Sequence, residues 1–247
     1  MSGTVADAEA LPVIVAIDGP AGAGKSTVGR AVAVRLGLEY LDTGAMYRAV
    51  TFAALRRGID PSDEDDVAAL AGDVEMSVDD SSVTVDGVDA TVEIRGREVT
   101  AAVSAVAANP RVRSELVRRQ RLWVSAHGGG VVEGRDIGSV VFPDATLKLF
   151  VTASPRIRAE RRVAEIGGDV HEVESSIIER DRKDSTRADS PLTETSDAIV
   201  VDTTDLSIDE VVERNEVLLA DEDFEIASGA IVAGTISGMR FEIVGLV

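Results

Sequence analysis

Gly19-Pro20-Ala21-Gly22-Ala23-Gly24-Lys25-Ser26 stands between an apolar run, Val13 to Ile17, and residues 25–36, whose apolar side chains recur at helical spacing. This order predicts a buried parallel strand, a glycine-rich turn and a helix. The glycines let successive backbone N–H groups face one anion, and the helix adds its positive N-terminal end. The spacing is that of a phosphate-binding loop. We therefore predict that residues 19–26, with Thr27, bind the phosphates of a nucleoside triphosphate, ATP if the protein is a kinase, that Lys25 reaches the β- and γ-phosphates, and that Ser26 ligates Mg²⁺.

The rest of the chain alternates short apolar runs with helical patterns, which predicts an α/β fold with a parallel sheet flanked by helices. Further strands are predicted at residues 38–41, 131–132, 146–152 and 198–201, and further helices at residues 45–57, 99–108, 110–126, 155–166 and 207–219. We expect a flexible N-terminus over residues 1–11, one domain over residues 12–220, and a tail of unknown role over residues 221–247.

Two segments depart from this alternation. In residues 72–97, apolar and polar residues alternate around 74–78, 83–85 and 92–94, and Asp86-Gly87 is a turn signal. This pattern predicts a small antiparallel sheet inserted into the domain. Residues 167–191, hereafter the lid segment, are dense in charge and poor in large apolar side chains, which is typical of a mobile lid.

Composition excludes several classes of function. The 247 residues contain no cysteine and only two histidines, which argues against disulfides, thiolate metal sites and a multi-histidine centre. A net charge of −19 argues against nucleic acid as the main partner. The acidic start and the lack of an apolar run of about 20 residues predict a cytoplasmic protein without a membrane partner.

The positive charge is unevenly distributed, since 15 of the 25 basic residues lie between Arg111 and Arg187. In an acidic protein this concentration suggests a pocket for small, highly charged ligands. Arg118, Arg119 and Arg121 are better explained as a solvated helical face.

The phosphate-binding loop alone is compatible with GTPases, ATPases and small-molecule kinases. A GTPase would also carry an Asn-Lys-x-Asp motif, but lysine occurs only at positions 25, 148 and 183, never in that setting. This absence favours a kinase.

Three further motifs carry charged residues. Asp42-Thr43-Gly44-Ala45-Met46-Tyr47-Arg48 and Gly134-Arg135-Asp136 both follow predicted strands, at the sheet edge where such folds bind ligands. Arg180-x-x-x-Asp184-x-x-Arg187 lies in the lid segment, where arginines suit closure over phosphates. Structural alternatives are a helix cap at Asp42 or Thr43, an ion pair between Arg135 and Asp136, and an i,i+4 pair between Arg180 and Asp184.

These motifs, in this order, resemble the bacterial cytidylate kinase family of nucleoside monophosphate kinases, from about Val13 to Leu219. The resemblance is also carried by Ser-Ala-Val-Ala-Ala-Asn-Pro-Arg-Val-Arg at residues 104–113, and by residues 133–138 with 140–143. It implies a P-loop kinase that uses MgATP to phosphorylate CMP and dCMP in pyrimidine metabolism, as a monomer.

The resemblance also implies roles for individual residues. Cytosine would be read by Ser104, Arg113 and Asp136, and the monophosphate would be held by Arg48 and Arg135 within a substrate site that includes Thr43 and Tyr47. Sugar hydroxyls would meet Arg180 and Asp184, while Arg187 would approach the transferring phosphoryl group, so that the catalytic residues are Lys25, Arg135, Arg180 and Arg187. Arg158 and Arg162 would help on the ATP side or serve packing and surface charge. Glu133 stands where some members carry Asp, near the outer shell of the metal.

Two alternatives stay open. One is a kinase for UMP or a small metabolite, which the pairing of Arg113 with Asp136 disfavours. The other is a non-enzymatic nucleotide-dependent switch that docks through the tail. The tail departs from the family pattern, and its alternating runs at residues 226–236 and 241–247 suggest added strands or an association surface.

Overall fold

A computed structural model describes residues 12–187, 189–206 and 210, and, in the tail, residues 226–227, 230–231, 234–236 and 239–241. The elements up to residue 206 are, in chain order, β1 (Val13–Asp18), α1 (Lys25–Leu36), β2 (Tyr40–Asp42), α2 (Thr43–Arg56), α3 (Glu64–Asp73), β3 (Met76–Val78), β4 (Val83–Val85), β5 (Val88–Asp89), α4 (Arg97–Ala108), α5 (Pro110–His127), β6 (Gly129–Glu133), β7 (Leu147–Thr152), α6 (Pro155–Ile166), α7 (Val170–Ser185) and β8 (Ile199–Asp202).

The main sheet has five parallel strands in the order β2-β6-β1-β7-β8. The central strand β1 pairs through Val15 with Val131 on one side and with Leu147 on the other. Parallel strands place their carboxyl ends at one edge, so β1, β2 and β6 present Asp18, Asp42 and Glu133 together. The predicted α/β class with a parallel sheet is confirmed.

Helices cover both faces of this sheet. On one face α1 packs with Val28 and Val32 against β1 and Val131, and on the other α2 to α5 form a larger core with Leu41 and Val132. Local signals position these helices: the Asp42 carboxylate caps α2 by accepting from Ala45 N at 3.0 Å, and Pro110 occupies the first turn of α5.

The inserted antiparallel sheet is present as β3-β4-β5, packed on α2. The strand predicted at residues 92–94 is wrong, because Glu93–Arg95 form a 3₁₀ turn. Thr91 ends the sheet by accepting from Val83 N at 3.0 Å, and the turn then buries Ile94 completely while Val92 stays exposed. Helix α3, which the sequence pattern did not predict, begins at the capping residue Asp63.

The lid segment contains α7, which is capped by Asp169 and packs against α6. Mobility of this segment stays a prediction. The predicted final helix, 207–219, lies outside the described residues apart from position 210, and so does the predicted flexible N-terminus, 1–11. In the tail, Ile226–Ala227 pairs with Ala230–Ile231 and Gly234–Ile236 with Met239–Phe241, as two antiparallel pairs separate from the main sheet.

Candidate active site

The glycine-rich loop joins β1 to α1 and depends on glycine at its first position. Gly19 has φ +146°, and a Cβ there would lie 1.9 Å from the carbonyl oxygen of Val151. At the other end, Gly24 adopts a left-handed conformation, φ +92°, immediately before α1. Lys25 is buried, and its Nζ donates to the carbonyl oxygen of Pro20 at 3.0 Å, so that the side chain folds back over the loop. The loop and the helix N-terminus thus have the geometry of an anion-binding concavity, and binding of ATP phosphates there stays a prediction.

Lys25 is buried among charged groups of both signs. Burial lowers the pKa of the Lys25 ammonium, the charge of Arg135 lowers it further, and Glu133 and Asp42 oppose the shift only in part. Arg180 also contributes repulsion. Bound phosphates would supply the missing negative charge.

Ser26 and Glu133 form an oxygen-rich corner beside the loop. The Ser26 hydroxyl donates to Glu133 Oε1 at 2.9 Å, whereas the buried Glu133 Oε2 has no hydrogen-bond partner. Burial raises the pKa of this carboxyl, and the charge of Asp42 adds to the effect. Within the described part of the chain, no group of three or more His, Asp or Glu side chains could hold a metal ion. The corner still fits Mg²⁺, which binds one or two protein oxygens and completes its shell with water and phosphates.

The segment after β6 is fixed by Asp18, a residue that the sequence analysis did not assign to the site. Its carboxylate accepts from Ile137 N at 2.8 Å and Gly138 N at 2.7 Å, where the chain makes a π-helical turn. Burial raises the pKa of Asp18 to about 6 despite these two hydrogen bonds. Asp18 therefore connects the end of β1 to the segment that carries Arg135 and Asp136.

Arg113 and Asp136 form a buried ion pair between α5 and this segment, with their side chains only 4% and 7% exposed. The Arg113 Nε has no hydrogen-bond partner, and its distance to Asp189 Oδ2 is 3.8 Å. The guanidinium carbon lies 5.9 Å from the Tyr47 ring centroid, and burial raises the pKa of Tyr47 to about 12. Ser104 lies half-buried on α4. Arg113 and Asp136 present a donor and an acceptor beside an aromatic ring.

Arg48 projects from α2 and is held by two acceptors. Its Nη1 donates to Ile94 O and to Thr100 Oγ1, both at 3.0 Å. Burial lowers the pKa of Arg48 to about 10, and the charge of Arg180 contributes. The sequence analysis missed Thr100, for which the only signal is its position one helical turn before Ser104.

Unlike the other predicted substrate-binding residues, Thr43 uses its side chain for a hydrogen bond to the backbone of β6. It is buried, and its hydroxyl donates to the carbonyl oxygen of Glu133 at 2.7 Å. This hydrogen bond joins the start of α2 to the end of β6.

Helix α7 brings the arginines of the lid segment to the end of β6. Arg135 Nε donates to Asp184 Oδ2 at 2.9 Å, and Arg187 Nη2 donates to Ser190 O at 2.5 Å. The Nε atoms of Arg180 and Arg187 are buried without a partner. Burial lowers the pKa of both arginines, and the second cause is a neighbouring positive charge, Arg135 for Arg180 and Arg113 for Arg187.

The two arginines that precede the lid segment differ from each other. Arg158 is buried and bonded to Asp181, Ala21 O and Ala153 O, whereas Arg162 pairs with Glu165 near the surface. Arg162 still lies close enough to lower the pKa of Arg180 by its charge.

Several known proteins are similar to this chain. The family model described as "Cytidylate kinase" matches residues 15–219. The cytidylate kinase of Streptomyces avermitilis is 52% identical over 207 residues, which cover 81% of this chain and 90% of that protein. The cytidylate kinase of Mycobacterium avium is 51% identical over 211 residues, covering 82% and 92%. A gluconokinase structure from Sinorhizobium meliloti aligns with a TM-score of 0.46 at 15% identity, covering 85% of this chain and 93% of that one. The match over most of the chain shows that this protein is an enzyme, a phosphotransferase, and that it belongs to the cytidylate kinase family.

Proposed function

We propose that the protein transfers the γ-phosphoryl group of ATP to CMP and dCMP, forming CDP and dCDP. The observation that carries the proposal is a set of three buried guanidinium Nε atoms without hydrogen-bond partners, on Arg113, Arg180 and Arg187. Buried donors of this kind are costly unless a ligand supplies acceptors. They lie with the phosphate-binding loop at one edge of the sheet, and relatives about half identical in sequence are named cytidylate kinases.

On the donor side, residues 19–27 hold the ATP phosphates. Backbone N–H groups of the loop and the N-terminus of α1 bind the phosphates. The Lys25 ammonium exchanges its hydrogen bond to the carbonyl oxygen of Pro20 for contacts with the terminal phosphates. Ser26 would ligate Mg²⁺ and Glu133 would lie near its outer shell, and the bound ion would supply positive charge to the phosphates.

On the acceptor side, the cytosine ring offers acceptors at O2 and N3 and a donor at its amino group. Arg113 and Ser104 donate to the ring, and Asp136 accepts from the amino group. The CMP phosphate lies between Arg48 and Arg135, whose guanidinium groups are already held by Thr100 and Asp184.

The remaining substrate contacts come from α2 and the lid segment. Arg180 and Asp184 meet the sugar, and Tyr47 borders the base beside Arg113. Thr43 acts through the backbone of Glu133, which it anchors.

The reaction needs alignment and charge neutralisation more than acid–base chemistry. The attacking CMP phosphate oxygen is already anionic, so no strong general base is required. Lys25, Arg135, Arg180 and Arg187 offset the charge that spreads over the transferring group, which moves in line between the two oxygens. The lid segment excludes water, a competing acceptor. We still predict that the enzyme is monomeric and cytoplasmic, that it has no nucleic-acid partner, and that its domain covers residues 12–220. In the part of the chain that is described, no helix has the length and apolarity to cross a membrane.

The test is ADP release with MgATP and one acceptor at a time: CMP, dCMP, UMP, AMP, GMP or shikimate. We expect rapid turnover with CMP and dCMP and slower turnover with UMP. Turnover with none of them, in a protein that still binds ATP, would refute the proposal and favour a nucleotide-dependent switch.

The role of Arg187 is tested by Arg187→Ala. We expect kcat to fall more than KM for CMP rises, since the side chain acts on the transferring group. Arg182→Ala is the matched control, because Arg182 lies in the same lid segment but is exposed and pairs only with Glu179 among the described contacts. Equal turnover of the Arg187 and Arg182 variants would rule out the role.

A further inference from the structure

Arg158 is a buried arginine that connects three parts of the molecule. Its side chain is 3% exposed. Nε donates to Ala153 O at 2.8 Å, after β7, and Nη1 donates to Ala21 O at 3.1 Å, within the phosphate-binding loop. The Arg158 Cβ also lies 3.4 Å from where a Cβ on Gly22 would be, so the side chain packs against the loop itself.

The third connection is to Asp181 on α7. Arg158 Nη1 and Nη2 donate to Asp181 Oδ1 and Oδ2 at 3.1 and 2.5 Å, a bidentate pair. Two-point pairing of planar groups fixes orientation as well as distance. Of the arginine contacts made from α7, this is the one that reaches the loop of the phosphoryl donor.

Asp181 immediately follows Arg180 and precedes Asp184 by three residues. Consecutive side chains of a helix project about 100° apart, so Asp181 faces α6 and Arg158 while Arg180 faces the end of β6. The Asp181 pair therefore constrains the rotation of α7 and its distance from the loop, together with the packing of α7 on α6. That placement in turn determines where Arg180 and Asp184 stand.

We propose that Asp181 is a positioning residue for phosphoryl transfer. Through Arg158 it holds α7 against the phosphate-binding loop, so that the lid-segment arginines are aligned with the ATP phosphates and water is kept out. Arg158 thus serves as a structural link between donor loop and lid segment. This role rests on the proposed function.

The test is Asp181→Asn, which keeps the size of the side chain but removes the carboxylate. We expect kcat with CMP to fall on the order of 10²-fold, as is typical of catalytic groups displaced by about 1 Å. KM for CMP should rise less than kcat falls, because the contacts of Arg113 and Asp136 to cytosine are untouched and only the sugar contacts of Arg180 and Asp184 shift. ATP hydrolysis should rise relative to transfer, which loss of stability alone would not produce.

Glu179→Gln is the matched control. Glu179 lies on the same helix, is 49% exposed, and pairs with Arg182 and Lys183 at the surface. It should keep the wild-type kcat and ratio of hydrolysis to transfer. A second variant, Asp181→Glu, keeps the charge beside Arg158 and so preserves folding, but its extra methylene displaces α7. We expect it to unfold at the wild-type temperature and still show lowered kcat and raised hydrolysis.

The outcomes separate this role from the proposed function. If wild type phosphorylates CMP but both Asp181 variants match it in kcat and in hydrolysis ratio, the positioning role alone is overturned. The role is also overturned if the loss of kcat follows the thermal midpoint across the variants with no change in hydrolysis ratio. If wild type phosphorylates no acceptor, the proposed function fails and this role fails with it.

Discussion

The buried pair of Arg113 and Asp136 allows stability and acceptor recognition to be measured separately. Arg113→Met leaves the Asp136 carboxylate buried without its partner, which costs about 3–5 kcal/mol in comparable sites. For a domain of this size about 1 kcal/mol corresponds to roughly 2–4 °C, so the thermal midpoint should fall by about 6–20 °C. The double variant Arg113→Met/Asp136→Leu removes both charges, and we expect its free energy of unfolding to stay within about 1 kcal/mol of wild type.

The same double variant should bind CMP, the phosphoryl acceptor, much more weakly. Each hydrogen bond to a charged group contributes about 1.5–3 kcal/mol. Losing the two contacts to cytosine should therefore lower kcat/KM for CMP by roughly 10²–10⁴-fold. KM for ATP should change little, because the phosphate-binding loop contacts neither Arg113 nor Asp136 among the described hydrogen bonds.

Calorimetry and ADP release, run on the same preparations, provide the two measurements. The control is Arg111→Met/Asp65→Leu, an ion pair between α5, which also carries Arg113, and α3, whose side chains are 58% and 87% exposed. It should change neither stability nor turnover appreciably. The reasoning would be refuted if the Arg113/Asp136 double variant kept its kcat/KM for CMP, or lost ATP and CMP binding to the same extent.

Three further predictions concern the loop and the end of β6. Gly134→Ala should lower the free energy of unfolding, measured in urea, by about 1–3 kcal/mol. The Cβ of the alanine would lie 2.6 Å from the Ile137 side chain and 2.8 Å from Thr43 Oγ1. An unchanged urea midpoint would contradict this prediction. The pKa of Asp18 is raised from 3.8 to about 6 in the folded protein, so folding disfavours the ionised carboxylate. As the pH rises from 4 to 6, the free energy of unfolding of wild type should therefore fall by up to about 3 kcal/mol relative to that of Asp18→Asn. The difference should level off above the folded pKa, and a difference independent of pH would show that burial does not perturb this carboxyl. Lys25→Met should lower kcat at least about 100-fold while CMP still binds in a direct titration; loss of CMP binding would place Lys25 on the acceptor side.

The elements that the sequence predicted correctly are those with local signals. Helices α1 and α6 begin and end where predicted, at Lys25–Leu36 and Pro155–Ile166. Glycines at both ends define α1, and Pro155 in the first turn defines α6, so no tertiary information is needed.

The secondary-structure predictions are wrong where tertiary packing determines the local structure. The alternation of Val92 with Ile94 is compatible with a strand, but the chain turns there and buries only Ile94, so the period of two did not distinguish strand from 3₁₀ turn. Helix α3 was not predicted although Asp63 caps it and acidic residues fill its first turn, because this short helix has only two large apolar residues, Val67 and Leu70, and so a weak periodic pattern.

The candidate site shows the same division. The phosphate-binding loop is contiguous and was predicted from its spacing. Asp18 holds backbone atoms 119 and 120 residues away, a contact that only the parallel pairing of β1 with β6 creates. The link from Arg158 to Asp181 likewise depends on how α6 packs against α7.

The proposed function requires an acidic protein to attract acidic substrates, and the candidate site offers a reason. With a net charge of −19, most of the surface repels nucleotides. At the end of the parallel strands, however, several cations lie close together. Burial is the main cause that lowers the pKa of Lys25, Arg48, Arg180 and Arg187, and a positive neighbour is the second cause for each, while nearby carboxylates oppose the shift. Holding so many cations together without anions opposes folding, and the large cores on both faces of the sheet must outweigh it. If ATP and CMP bind at this edge as proposed, their phosphates remove that repulsion, and part of their binding energy then comes from relief of a cost already present in the free protein.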